Sequence, residues 1–296
     1  MDWRRDGNMG WQPTAEQKRN YEERGYFTAS NVVSPQTAAE MLGVIKNAIL
    51  MPEADDIMTD ADPMDPMNDD TPQARAARYR KLNKFNQRNP LIWHNAHCGQ
   101  PVLDIARYFL GDDILLKYDS CFLKPARSGS ATPWHQDNGL WRDGDIEPFN
   151  FWMALDPATI KNGCLQMIPG SYKTEIVPHV LYEDSIHGEL PQERIDEMID
   201  TYGVEHIELE PGDVVVWHSS AWHYSPPNTS AKGRIAIAGV MSSPDIVENG
   251  RSGDVGYKWL MKGGVVMPDF PAKEYAMQRK ERWTAVPWKK LSRRAG

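Results

Sequence analysis

Two short motifs, far apart in the chain, limit how it can fold: Thr132-Pro133-Trp134-His135-Gln136-Asp137-Asn138-Gly139 and Ser220-Ala221-Trp222-His223-Tyr224-Ser225. In an extended segment the side chains at i and i+2 share a face, roughly 6.5 Å apart along the chain. His135 and Asp137 can therefore close on one cation while Gln136 points away. Two ligands leave too many positions open, so a third must arrive from a remote strand. His223 is the best placed, because the turn Pro211-Gly212-Asp213 launches the β-branched run Val214-Val215-Val216-Trp217 that leads to it. His218 competes, but its odd spacing from His223 puts it on the opposite strand face, where it reads as a hydrogen-bonded core histidine. Two imidazoles and one carboxylate on one face of an octahedral ion form the pattern that holds ferrous iron with positions left open, unlike a closed structural zinc site.

Arg234 follows His223 by eleven residues and opens the apolar strand Arg234-Ile235-Ala236-Ile237-Ala238. Burying an unpaired guanidinium is costly. A carboxylate is its natural partner, because the planar fork binds one bidentately. The far carboxylate of 2-oxoglutarate fits, with the Ser225 hydroxyl as a second donor.

With these residues in hand, the chain resembles the phytanoyl-CoA dioxygenase family. The resemblance rests on the order His135-x-Asp137, Asn162-Gly163-Cys164-Leu165 leading to Pro169-Gly170-Ser171, Gly212-Asp213 with a strand to His223-x-Ser225, and Arg234, and it covers about residues 25 to 245. It implies a mainly β chain with flanking helices, folded as a double-stranded β-helix, the cupin-like jelly roll. It also implies Fe(II), 2-oxoglutarate and O2 as cofactor and co-substrates, with succinate and carbon dioxide released as a small-molecule substrate is oxidised. Position by position, His135, Asp137 and His223 would ligate iron, Arg234 and Ser225 would anchor the co-substrate tail, and Trp152 would lie beside it. The family often has a basic residue near Lys81 that touches the co-substrate. Related halogenases replace the carboxylate ligand with a small residue, so Asp137 favours hydroxylation or desaturation.

The 33 basic and 41 acidic residues give a net charge of −8, which argues against nucleic acid as a partner. Cys98, Cys121 and Cys164 are too few and scattered for a disulfide framework, and neither an apolar leader nor a membrane-length run is visible, so a cytoplasmic enzyme is expected. One domain over 1–296 is expected, with a helical extension over about 12–50, an acidic loop over about 51–73, a jelly-roll core over about 114–245 and a C-terminal cover over about 246–296.

Ser34-Pro35 caps a helix that carries Met41, Leu42 and Ile45. The acidic loop is either a lid or a solvated segment. Ile114 to Lys124 alternates as a barrel strand, with Leu116, Tyr118, Ser120 and Phe122 on one face. If that face looks inward, Tyr118 and Ser120 stand near the metal and Tyr118 can touch the co-substrate. Otherwise they pack.

Trp134, Asn138 and Trp141 flank the first motif and either wall the substrate pocket or fill the barrel mouth. His94, His97, His179, His187 and His206 read as surface or structural. Tyr257, Trp259, Trp283 and Trp288 make the tail too aromatic to be disordered. The competing reading of the whole is a cupin-like metal isomerase or ligand-binding protein without oxygen chemistry, which has no reason to keep Arg234.

Overall fold

The computed structural model describes residues 11–50, 71, 74, 76–77, 79–127, 129–141, 149–183, 188–249, 256–276 and 290–291. The expected acidic lid, apart from Thr71, and Trp283 and Trp288 lie outside the described residues, as does the side chain of Trp141.

The helices are α1 (Ala15–Arg24), α2 (Pro35–Ala48), α3 (Gln100–Leu110), α4 (Asp137–Trp141), α5 (Gln192–Tyr202) and α6 (Pro244–Asn249). The strands are β1 (Tyr26–Ala29), β2 (Lys81–Asn83), β3 (Ile114–Lys124), β4 (Thr132–His135), β5 (Phe149–Ala154), β6 (Leu165–Met167), β7 (Leu181–Tyr182), β8 (Glu205–Ile207), β9 (Val214–Trp217), β10 (His223–Ser225), β11 (Arg234–Ser242), β12 (Lys258–Lys262), β13 (Val265–Val266) and β14 (Lys290–Leu291). Among the described residues no helix is long and apolar enough to cross a membrane.

Local chemistry sets the N-terminal elements. Thr14 and Gln17 form a reciprocal cap on α1, with Gln17 N–H to Thr14 Oγ1 at 3.1 Å and Thr14 N–H to Gln17 Oε1 at 3.0 Å. Gly25 ends the helix at φ +88, and a Cβ there would meet the Tyr172 ring at 2.5 Å, so the turn needs glycine twice over. Ser34 caps α2, whose first residue is Pro35.

A large antiparallel sheet runs β1-β9-β5-β11-β3-β12-β13, with β2 also paired to β3, and a smaller one runs β4-β10-β6-β8. The two face each other as a jelly roll. The large sheet is covered on both faces, which explains the unbroken apolar run of β11. Its outer face carries Phe27, Ile235, Ile237 and Met241 with Phe149, Phe151 and Val216, and packs on Met41, Ile45, Leu103 and Ile105 from the helices. Its inner face carries Ala236, Ala238, Val215, Trp152 and Trp217. Along β11 the bulky Ile235, Ile237 and Met241 face the helices while the small Ala236 and Ala238 face the barrel interior, where room is needed.

Leu116 departs from the alternation expected of β3. The β3–β11 register slips between Val240↔Tyr118 and Met241↔Leu116, leaving Lys117 as an extra residue. A bulge of this kind turns the chain by one residue, so Leu116 packs with Met241 in the outer cluster while Tyr118 keeps the inner face. The tail does more than cover the barrel: β12 pairs with β3 as a further strand, and Tyr257 is buried with Leu115 and Val247.

Candidate active site

Strands β4 and β10 are antiparallel neighbours with His135 and His223 in register, and their imidazole centroids lie 4.0 Å apart. His135 Nε2 is 3.6 Å and His223 Nε2 3.9 Å from Asp137 Oδ1. One donor atom from each residue falls within 4.8 Å of the others, the only such His/Cys/Asp/Glu cluster among the described residues.

Each ring is fixed by its other nitrogen, since His135 Nδ1 lies 2.7 Å from Pro133 O and His223 Nδ1 3.0 Å from Ala221 O. A carbonyl only accepts, so both Nδ1 atoms carry the hydrogen and both Nε2 lone pairs face Asp137. Burial, helped by His135, pushes His223 down to about 4, which keeps it neutral. Burial opposes ionisation of Asp137, but His223, His135 and the Trp217 indole outweigh it and hold the carboxyl below the usual range.

Asp137 does not continue the strand as its spacing suggested; it opens α4. Gln136 indeed points away, into a fully buried brace. Its amide nitrogen donates to Glu175 O and Ser220 O, its Oε1 accepts from Val177 N–H, and its backbone N–H donates to His179 Nε2 at 2.9 Å. Gly139 leaves room for that imidazole, because a Cβ would sit 2.2 Å from it. His179 is thus structural, locked behind the metal motif.

A concave cavity opens in front of the cluster. Tyr118, His135, Asp137, Trp152, His223, Ser225 and Arg234 line it, as does Lys81, whose ammonium lies 5.0 Å from the Phe122 ring centroid. Arg234 is fully buried, with its guanidinium carbon 4.9 Å from the Trp152 ring centroid. Its Nη2 donates to Gly163 O and, at 3.0 Å, to Ser225 Oγ, while its Nε has no partner among the described residues. Ser225 spends its own hydrogen on Gly163 O at 2.8 Å, so it is here an acceptor for Arg234 and not the spare donor expected. Tyr118 Oη donates to Asn83 Oδ1 at 3.1 Å.

Trp134 and Asn138 are not among the lining residues. Trp134 stacks on Tyr224 with 5.3 Å between centroids, and Asn138 Nδ2 donates to Ser220 Oγ at 2.9 Å behind the motif. His218 stays outside the cluster, where its Nδ1 accepts from Ser220 N–H. Three contributors escape sequence reasoning: Trp217, which donates to Asp137 Oδ2; Lys124, at the far end of the cavity; and Gly163, whose carbonyl joins Arg234 to Ser225. Inward alternation from Val215 was the available signal for Trp217.

The sequence model of the phytanoyl-CoA dioxygenase family matches residues 21–236. The chain belongs to that family. This phytanoyl-CoA dioxygenase family member is 26% identical over 268 residues to a probable phytanoyl-CoA dioxygenase of Caenorhabditis elegans, covering 83% of this chain and 80% of the relative. It is also 26% identical to a probable alpha-ketoglutarate-dependent hypophosphite dioxygenase of Stutzerimonas stutzeri, over 84% of this chain and 86% of that one. Among solved structures, EctD from S. alaskensis with 2-oxoglutarate and 5-hydroxyectoine matches with a TM-score of 0.65 at 19% identity, covering 96% of this chain and 92% of that chain. At that identity the likeness speaks for the fold, the jelly roll of the non-haem iron oxygenases.

Proposed function

We propose that this family member is an Fe(II)- and 2-oxoglutarate-dependent hydroxylase or desaturase of a small molecule, one of specialised metabolism. The observation that carries the reading is the pairing of two oriented Nε2 lone pairs and one carboxylate oxygen at one end of a cavity with a buried guanidinium at the other.

The donor set fits the metal. Nitrogen and oxygen ligands on one side suit ferrous iron with positions left for co-substrate and dioxygen. The orphaned Arg234 Nε fits the co-substrate, since a buried N–H without an acceptor costs about 1–3 kcal/mol, relieved when a carboxylate arrives. Bound iron supplies the oxidative decarboxylation of 2-oxoglutarate and the oxidation of the substrate. This chain's residues do the rest. His135, Asp137 and His223 hold the metal, Arg234 takes the distal carboxylate, and Trp152 shields the pair from water. Trp217 keeps Asp137 turned toward the imidazoles. Tyr118, Phe122, Leu140 and Val240 line the space left for substrate.

The test is anaerobic reconstitution with Fe(II) followed by 2-oxoglutarate, read as a visible absorption band and, on admitting oxygen, as succinate release. Asp137→Ala should abolish both. Wild-type protein that binds Fe(II) yet neither gains the band nor forms succinate would return the site to a cupin without oxygen chemistry.

A further inference from the structure

Lys124 ends β3 directly opposite Arg234 on β11. Cross-strand partners have Cβ atoms about 4.5–5.5 Å apart, and like charges placed there repel. Both residues are nearly sealed from solvent, at 5% and 2% exposure. Arg80 and Lys81 line the same cavity, and among its described lining residues Asp137, at the metal end, is the only carboxylate. Asp156, the carboxylate that acts on Arg234 from outside the cavity, is already engaged by Lys46 at 3.6 Å and by the Ile235 N–H at 3.1 Å.

Burial, Arg234 and Arg80 push the Lys124 amine down to about 6. The fold still uses it as an ammonium. Nζ donates to Ser130 O at 2.6 Å, Ser225 O at 3.1 Å and Pro226 O at 2.6 Å, and only the charged form has three N–H bonds. The carbonyls satisfy its hydrogens without neutralising its charge. Space is kept for the chain: a Cβ on Gly163 would lie 3.0 Å from Lys124 Cδ, and one on Gly129 3.0 Å from Lys124 Cα. The carbonyls belong to the segment entering β4 and the segment leaving β10, the strands that carry His135 and His223. Two opposed, buried cations beside a cavity are the imprint of a ligand with negative charge at that end.

We propose that Lys124 is a positioning residue that sets co-substrate specificity: its charge beside Arg234 makes the cavity select a 2-oxo acid ending in a second carboxylate, and its clamp holds Ser225 in place. The proposal rests on reading the cavity as a 2-oxoglutarate site. All three N–H bonds are engaged, so Lys124 acts through its field and through the Ser225–Pro226 backbone, not by touching the ligand.

The experiment titrates anaerobic Fe(II)-loaded wild type, Lys124→Met and Lys124→Arg with 2-oxoglutarate and with 2-oxopentanoate, which has the same length but no distal carboxylate. Chelation is followed by visible absorption and folding by thermal melting. Lys124→Met should weaken 2-oxoglutarate binding by about tenfold or more, equivalent to about 1.4 kcal/mol, while 2-oxopentanoate moves by less than about twofold and Lys124→Arg largely restores the preference. A parallel loss for both acids, or no change in either, overturns the proposal. If Lys124→Met does not fold, Lys124→Gln replaces it, and collapse of both neutral variants makes the lysine purely structural and also overturns it. Wild type that binds neither acid rejects the 2-oxoglutarate reading itself.

Discussion

The Trp217 indole N–H donates to Asp137 Oδ2 at 3.0 Å, which turns Oδ1 toward the two imidazole Nε2 atoms. The donor is eighty residues from its acceptor and reaches it from the large sheet across the barrel. Groups that orient a metal ligand without touching the metal typically contribute 10–100-fold in metal affinity. Trp217→Phe keeps an aromatic ring at the site and removes the donor. Fe(II) titration should show affinity falling by about 10- to 100-fold, with the melting temperature little changed.

Arg234 is a fully buried cation whose Nε has no hydrogen-bond partner among the described residues. Lysine in its place keeps a charge but loses the planar fork. For Arg234→Lys the KM for 2-oxoglutarate should rise by about tenfold or more while Fe(II) affinity holds, because a two-point carboxylate contact becomes a single one. An unchanged KM would remove Arg234 from the co-substrate site.

Gly139 and His179 meet where a Cβ has no room. Gly139→Ala should destabilise the protein by about 1–3 kcal/mol through overpacking. His179→Ala frees that space while leaving the Gln136 N–H unanswered. In a denaturation double-mutant cycle, Gly139→Ala should be much less damaging in the His179→Ala background, a coupling of about 1 kcal/mol or more.

His97 is fully buried between Trp93 and Phe151, with neither ring nitrogen hydrogen-bonded among the described residues. Burial pushes it down to about 3 from 6.5. The unfolded chain therefore takes up a proton that the folded one refuses. Its contribution is whole above pH 6.5 and is lost as the pH falls from there toward 3, at a slope of about 1.4 kcal/mol per pH unit for one proton. His97→Leu should flatten the acid side of the stability profile by about that slope. Part of the slope will remain, since burial also lowers His179 and His218 to about 4. Urea unfolding between pH 4 and 8 measures it.

Much of the site was legible because its signals are short-range or chemically costly. Histidine and aspartate two apart, a histidine at the end of a β-branched run, and an arginine opening an apolar strand each demand a partner, so residue type and spacing suffice. The caps at Thr14 and Ser34 and the strand Ile114–Lys124 are likewise written in neighbouring residues. For Trp134 and Asn138 two readings stayed open, because closeness in sequence to a ligand does not say which side of the strand a group faces. One stacks on Tyr224, which itself lines the cavity, and the other donates to Ser220 behind the motif.

From residue order alone come the metal donors, the buried guanidinium and the alternation of the strands, since each depends on groups a few positions apart or on the expense of burying charge. The folded chain alone supplies the bulge at Lys117 that reverses Leu116, the indole that steers Asp137, the imidazole behind Gly139 and the ammonium set against Arg234. All of these arise from strand register and close packing between segments 40 to 125 residues apart, where one extra residue or one missing Cβ chooses the neighbour.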